Sequence, residues 1–296
     1  MSEREARDAA LARVRGAVGS HGGASTWVER DGVRLHSLVF GSGPLDVVVL
    51  PGITSPAPTW AFVAGWLGDL ARVTVLDIRG RGLSDAPDAG YQLADYVDDA
   101  IAVCEQLGIA EPVVLGHSMG ARIGAAMGAA RPGFASAYIL LDPPLSAPGR
   151  SYPTSWESFA QQLDEGIAGT TLEAVRAFYP RWAEAELQIR IDWLPTCFPP
   201  AIRETYDAFE VDLFETSWDA LVDTATFVYG TASPVVTAAD LARIRDLQPM
   251  ATLIGVEGAG HMIPWDEPEA ARIVLRSLVQ PLSAARAAAS PRGGPS

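Results

Sequence analysis

An α/β architecture, with a mostly parallel, doubly wound sheet and a helical cap inserted into it, is predicted for this 296-residue chain by three observations. Short, continuous apolar runs alternate with segments of helical periodicity, as in a parallel sheet covered on both faces. Glycine-bearing loops follow several of these runs, where such sheets present their chemistry. Between residues 143 and 220 the strand rhythm stops and Trp, Tyr, Phe and Pro accumulate with helical spacing.

Residues 1–25 read as an accessory arm, helical over 2–18 and broken at Gly19-Ser20-His21-Gly22-Gly23. His21 is expected to be solvated. Residues 27–30 and 33–40 read as a hairpin turning at Asp31-Gly32, with His36 on a strand surface. Residues 47–50 form a buried strand, 59–70 a helix and 73–77 the next strand. The loop Asp77-Ile78-Arg79-Gly80-Arg81-Gly82-Leu83-Ser84 lacks a phosphate-loop pattern, and Arg79 is expected to tie it down. A helix over 91–107 leads to the apolar strand 113–115, and a small-residue helix over 121–130 stops at Arg131-Pro132-Gly133. Residues 137–141 form a strand ending in Asp142-Pro143-Pro144. After the cap, 225–229 and 251–256 are strands, and 238–247 and 268–279 are helices. The domain reading is an arm at 1–25, a core at 26–142 and 221–280, a cap at 143–220 and a disordered tail at 281–296.

Composition narrows the function classes. The chain is 48% hydrophobic and carries a net charge of −14, with every cation an arginine. Such a surface repels nucleic acid and anionic membranes. No apolar stretch approaches the roughly 20 residues of a membrane span, and the N-terminal residues lack a signal-peptide core, so a cytoplasmic protein is expected. Cys104 and Cys197 do not make a disulfide framework and read as buried fillers. No cluster of His, Cys, Asp and Glu has metal spacing, so neither a metal nor a cofactor is expected. A homo-oligomer is left open.

Gly116-His117-Ser118-Met119-Gly120, between a strand and a helix, is a Gly-x-Ser-x-Gly nucleophile elbow. Its sharp turn lifts the Ser118 hydroxyl off the sheet. A serine hydroxyl needs a base. His117 is turned away by its own backbone and reads as a packing residue. His261, in Gly258-Ala259-Gly260-His261-Met262 after the last strand, is the candidate base. The acid is less usual. The loop Tyr229-Gly230-Thr231-Ala232-Ser233-Pro234-Val235 contains no carboxylate, and the nearest, Asp240, lies inside a predicted helix. Asp142, one strand earlier, is the candidate that would fix the His261 tautomer. Two backbone N–H groups, of Ile53 in Pro51-Gly52-Ile53-Thr54-Ser55 and of Met119, are the candidate oxyanion donors. Arg122 is expected to point into the helix surroundings. The cap arginines Arg176, Arg181 and Arg190 are expected to pair with acids at the surface.

Over residues 47–279 these features resemble the α/β-hydrolase superfamily. The segments Leu50-Pro51-Gly52-Ile53-Thr54-Ser55-Pro56, Asp77 to Ser84, Gly116 to Arg122, Asp142-Pro143-Pro144 and Ala259-Gly260-His261-Met262-Ile263-Pro264-Trp265 look like the N-formylmaleamate deformylase family. The cap segment Trp193-Leu194-Pro195-Thr196-Cys197 is similar too. That resemblance implies an α/β-hydrolase fold and a cofactor-free serine amide hydrolase of nicotinic acid catabolism. Its substrate would be a small anionic amide, cleaved to maleamate and formate. It also implies a triad acid after the earlier strand, consistent with Asp142. Three other readings stand beside it. They are an amidase or esterase acting on an acylated enamine diacid, a cofactor-free dioxygenase opening N-heteroaromatic rings on the same fold, and a non-enzymatic small-ligand receptor.

Overall fold

A computed structural model describes residues 1–222 and 224–289. Eight strands form one sheet: β1 (Ala24–Arg30), β2 (Val33–Phe40), β3 (Leu45–Leu50), β4 (Ala71–Leu76), β5 (Val113–His117), β6 (Ala137–Leu141), β7 (Ala225–Gly230) and β8 (Thr252–Val256). Their spatial order is β1-β2-β4-β3-β5-β6-β7-β8. The first two pairings are antiparallel and the rest parallel. The β1–β2 hairpin pairs Arg30 with Val33 and turns through Asp31 and Gly32, both at positive φ (51° and 77°), as a tight two-residue turn requires.

The continuous apolar runs have a simple cause. Successive side chains along a strand face opposite ways, and both faces are covered. Val48, Leu50, Val114 and Leu140 enter one core, with α3 (Leu93–Gln106) and α4 (Met119–Ala130). Val47, Val49, Val113, Leu115 and Ile139 enter the other, with α2 (Ala61–Leu67).

Between β6 and β7 lie α5 (Trp156–Ala168), α6 (Leu172–Phe178), α7 (Glu184–Trp193), α8 (Pro199–Ala208) and α9 (Phe214–Ala220). The insertion is helical, but its last helix does not lie over the cavity. α9 packs on α4 and on α10 (Ala238–Leu247), and Trp218 Nε1 donates to the Ile244 carbonyl. An aromatic stack ties the cap to the loop after β8. Tyr179 stacks on Trp182 at 4.2 Å, and Trp182 on Trp265 at 5.1 Å. Trp265 sits in α11 (Ile263–Asp266), directly after His261.

The N-terminal arm is helical, as read, and is docked on the rest of the chain. α1 (Glu3–Val14) buries Ala6, Ala10, Leu11 and Val14, and Arg7 donates to the carbonyls of Thr196, Gly82 and Ser84. His21 is not simply solvated: its Nε2 accepts a hydrogen bond from Trp193 Nε1 at 3.3 Å. The disordered tail read from residue 281 onward is corrected over its described part. α12 (Pro268–Ala289) runs straight through Pro281. Val279 is buried, Ser283 Oγ donates to Leu70 O, and Arg286 pairs with Glu111. Tertiary anchoring there outweighs the loop-like composition. Residues 290–296 lie outside the described residues. Among the described residues no helix is long and apolar enough to cross a membrane.

Glu186, in the first turn of α7, has a buried Oε2 without a hydrogen-bond partner, and burial pushes its carboxyl up to about 7. The folded chain therefore keeps a proton there between about pH 4.5 and 7 that the unfolded chain releases, so stability falls as pH rises through that window. Glu186→Gln is expected to stabilise the protein at pH 8 by about 1 kcal/mol, partial exposure reducing the effect. The gain should vanish below pH 4.5, which paired thermal melts at the two pH values would check.

Candidate active site

Ser118 stands between β5 and α4 with φ 54° and ψ −119°, a conformation that non-glycine residues rarely adopt. The flanking glycines are required by contact. A Cβ on Gly116 would lie 2.3 Å from Gly120 O, and one on Gly120 would lie 1.7 Å from Leu50 O. Ser118 N–H donates to Leu141 O at 2.9 Å, so the elbow is strapped to the end of β6.

At that same strand end, Asp142 is fully buried and also at positive φ (45°). Its Oδ2 lies 2.8 Å from His261 Nδ1, and His261 Nε2 lies 3.0 Å from Ser118 Oγ. Asp142 Oδ1 accepts from Gly230 N–H, and Oδ2 also accepts from Ser233 Oγ at 2.6 Å. The loop after β7, which carries no acid, thus supplies donors to the acid that comes from β6. A carboxylate accepts from all three only if His261 carries its proton on Nδ1, which leaves Nε2 as the acceptor facing Ser118. The structure brings together Ser118, His261 and Asp142, with Ile53 lining the same cavity as Ser118. Met119 is the first residue of α4, where N–H groups have no intrahelical acceptor.

His117 is buried, and burial pushes its imidazole down to about 3, so the ring is neutral. Its Nε2–H donates to the His261 carbonyl at 2.9 Å, supporting the loop that carries His261. Tyr152, at the start of the cap insertion, passed in the sequence as one aromatic among many. Its hydroxyl lies 3.2 Å from His261 Nε2 and also contacts Ser118, and burial raises its pKa so that it stays protonated. A cap aromatic two strand-ends away carries no local motif, so only the fold shows it. Tyr152→Phe is expected to lower kcat/KM about tenfold with folding intact, as loss of one neutral hydrogen bond at the reacting atoms implies. Steady-state kinetics of the purified variant would check it.

Several readings of single residues are revised. His36 is not on a surface but fully buried, with Nδ1 2.7 Å from Asp77 Oδ2 and Nε2 3.0 Å from Ser25 Oγ. This second Ser–His–Asp chain lies apart from the cavity: Asp77 also accepts from Ala57 and Leu83 N–H, and none of the three residues lines the cavity that holds Ser118. Arg79 does tie down its loop, through a two-pronged pair with Asp99. Arg122 donates to the carbonyls of Pro144 and Phe209. Arg176 pairs with Glu184 at the surface as expected, and Arg181 with Glu267. Arg190 does not: it is buried, 4% exposed, on the cavity wall. Cys104 and Cys197 are buried free thiols, pushed up to about 12 and about 11 by desolvation, and so remain unreactive.

The cavity measures about 430 Å³, of the order of a small-ligand site. Ser118, His261 and the Gly52–Thr54 loop form its floor, and Tyr152, Phe159 and Trp182 its cap side. Among the described residues no group of His, Cys, Asp and Glu is arranged to hold a metal ion.

A parallel sheet with a strained serine elbow at the end of β5, an imidazole against it and an acid behind it defines an α/β hydrolase. The alpha/beta hydrolase family model matches residues 47–272, and the chain belongs to that family. It is 39% identical to the N-formylmaleamate deformylase of Pseudomonas putida KT2440 over 81% of this chain and 90% of that protein. It is 28% identical to the 2-(acetamidomethylene)succinate hydrolase of Mesorhizobium japonicum, over 80% and 87% of the two chains. Among solved structures, a serine-to-alanine variant of the N-formylmaleamic acid deformylase of Pseudomonas putida S16 superposes with a TM-score of 0.80. It is 37% identical, over 85% of this chain and all of that one. The expectation of a hydrolase of the deformylase kind is thereby met.

Proposed function

We propose that the enzyme hydrolyses a carbon–nitrogen bond in a small acylated amide of an unsaturated diacid, N-formylmaleamate foremost, yielding maleamate and formate. The observation that carries the reading is the Asp142–His261–Ser118 alignment, at 2.8 and 3.0 Å, in a chain this similar to a deformylase. Ser118 Oγ attacks the formyl carbon and its proton passes to His261 Nε2. Asp142 stabilises the imidazolium and holds its tautomer without taking the proton. The tetrahedral oxyanion is bound by the N–H groups of Ile53 and Met119, each donor contributing about 3 kcal/mol to the transition state. Collapse breaks the C–N bond as His261 returns the proton to the nitrogen. That nitrogen is part of a second amide in maleamate and so leaves more readily than an amine. A water molecule then loses a proton to His261, attacks the formyl-serine and releases formate, and Ser118 regains its hydrogen.

No cofactor takes part in this sequence, and the reaction would serve cytoplasmic nicotinate degradation. The test is incubation of the purified protein with N-formylmaleamate, with formate and maleamate both quantified. Equimolar production of the two is expected. A folded protein that releases no formate from it, yet shows an acyl-enzyme burst with p-nitrophenyl acetate, would keep the hydrolase and lose the substrate.

A further inference from the structure

Arg190 closes α7 on its last turn and reaches from the cap to the loop behind Ile53. Every acceptor that it meets is uncharged. Nη1 donates to Thr54 O, and Nη2 has Thr54 Oγ1 at 3.1 Å, Tyr179 OH at 3.2 Å and Gln162 Oε1 at 3.4 Å. Nε is buried with no partner at all. None of the carboxylates of this acidic chain lies within ion-pair distance of the Arg190 guanidinium among the described residues, whereas the well-buried Arg79 has Asp99 and the half-buried Arg150 has Glu215 and Asp240. Arg7, Arg81 and Arg122 are likewise buried among carbonyl and hydroxyl oxygens, but they lie outside the lining of the catalytic cavity, and Arg190 lies in it. Arg181, the other cavity arginine, is half-exposed and engaged with Asp266 and Glu267.

A cation withdrawn from water without a counter-ion is costly, and the cost is offset when an anion enters beside it. The Arg190 group is also preorganised. Tyr179 OH donates to Gln162 Oε1 at 2.6 Å, and the Tyr179 ring is clamped by its stack on Trp182. Guanidinium, hydroxyl and amide are therefore held in fixed relation to Thr54, one residue from the oxyanion donor Ile53. We infer that Arg190, steadied by Thr54, Gln162 and Tyr179, is the anchor for a substrate carboxylate. The site then selects short acylated amides bearing a carboxylate a few bonds from the scissile carbonyl. This deepens the anionic-amide reading above and rests on it.

The test compares the wild type with Arg190→Met and Arg190→Lys on an anionic and a neutral substrate. The ratio of kcat/KM for N-formylmaleamate to kcat/KM for p-nitrophenyl acetate is expected to fall about a hundredfold in Arg190→Met, chiefly through KM, and to recover in part in Arg190→Lys. Maleamate and succinate are expected to compete with ester hydrolysis in the wild type, about a hundredfold less well in Arg190→Met. Equal losses on both substrates, with inhibition by the carboxylates unchanged, would mean that Arg190 only braces the Thr54 loop and would overturn the inference. The inhibition arm needs only the ester. If N-formylmaleamate is not cleaved, carboxylate inhibition that is lost in Arg190→Met still upholds the anchor. A wild type that no short carboxylate inhibits overturns it.

Discussion

Replacement of Ser118 by alanine is expected to reduce formate release by about 10⁴-fold or more while leaving the fold intact. In the proposed mechanism this hydroxyl is the group to which the new C–O bond forms. Tyr152 OH is also near His261 Nε2, but burial raises its pKa and so opposes the phenolate that an attack would form. Removing the nucleophile of such a unit costs nearly as much as removing the whole unit, and what survives comes from the oxyanion donors and binding. Folding should be little affected, because the strain at φ 54° belongs to the backbone and the straps that hold it, Ser118 N–H to Leu141 O and the glycine contacts, do not involve the side chain. Formate release and the p-nitrophenyl acetate burst, measured with circular dichroism on the same sample, decide the matter. Turnover within tenfold of wild type would remove Ser118 as the nucleophile.

Asp142→Asn is expected to lower kcat by about 10⁴-fold, the effect known for a triad acid whose neutral isostere keeps the shape and loses the tautomer. Asp142 accepts from three donors, Gly230 N–H, Ser233 Oγ and His261 Nδ1. An asparagine that keeps its oxygen toward Gly230 turns an NH₂ toward His261. The imidazole must then accept on Nδ1 and carry its proton on Nε2, facing Ser118 with a donor where a base is needed. The kcat of the variant, with its melting temperature as a control, checks this. A loss of less than tenfold would mean that a different carboxylate orients His261.

Much of this site could be read before any coordinates. Ser118 was visible because an elbow requires small neighbours, and the cause is now explicit in the backbone oxygen that any Cβ on Gly120 would strike. His261 was visible because a histidine directly following a Gly-Ala-Gly loop after the last strand has few structural uses. Asp142 emerged from the lack of a carboxylate over residues 229–235 together with the likeness to the deformylases. What that later loop does instead, presenting Gly230 N–H and Ser233 Oγ to Asp142, was not visible, because hydrogen-bond partners some 90 residues apart leave no local pattern.

The misread residues share one cause. His36 lies on a strand whose alternation suggests an outward face, yet β2 is sandwiched between β1 and β4 and the Asp77 loop closes over it. Arg190 lies in a helix rich in acids, and its actual partner, Thr54, is 136 positions away. Residues from 281 onward were read as a disordered tail from their composition, yet α12 continues to Ala289, held there by Ser283 and Arg286. The order of strands and helices, and the elbow serine and glycine-loop histidine as candidates, were already written in local pattern, since buried strands must be apolar throughout and a strained turn tolerates only certain residues; the candidate acid was not. Which polar side chains are buried, which of them lack a counter-charge and which face the cavity emerged only on folding, since burial and pairing are set by neighbours that the chain brings from far along its length.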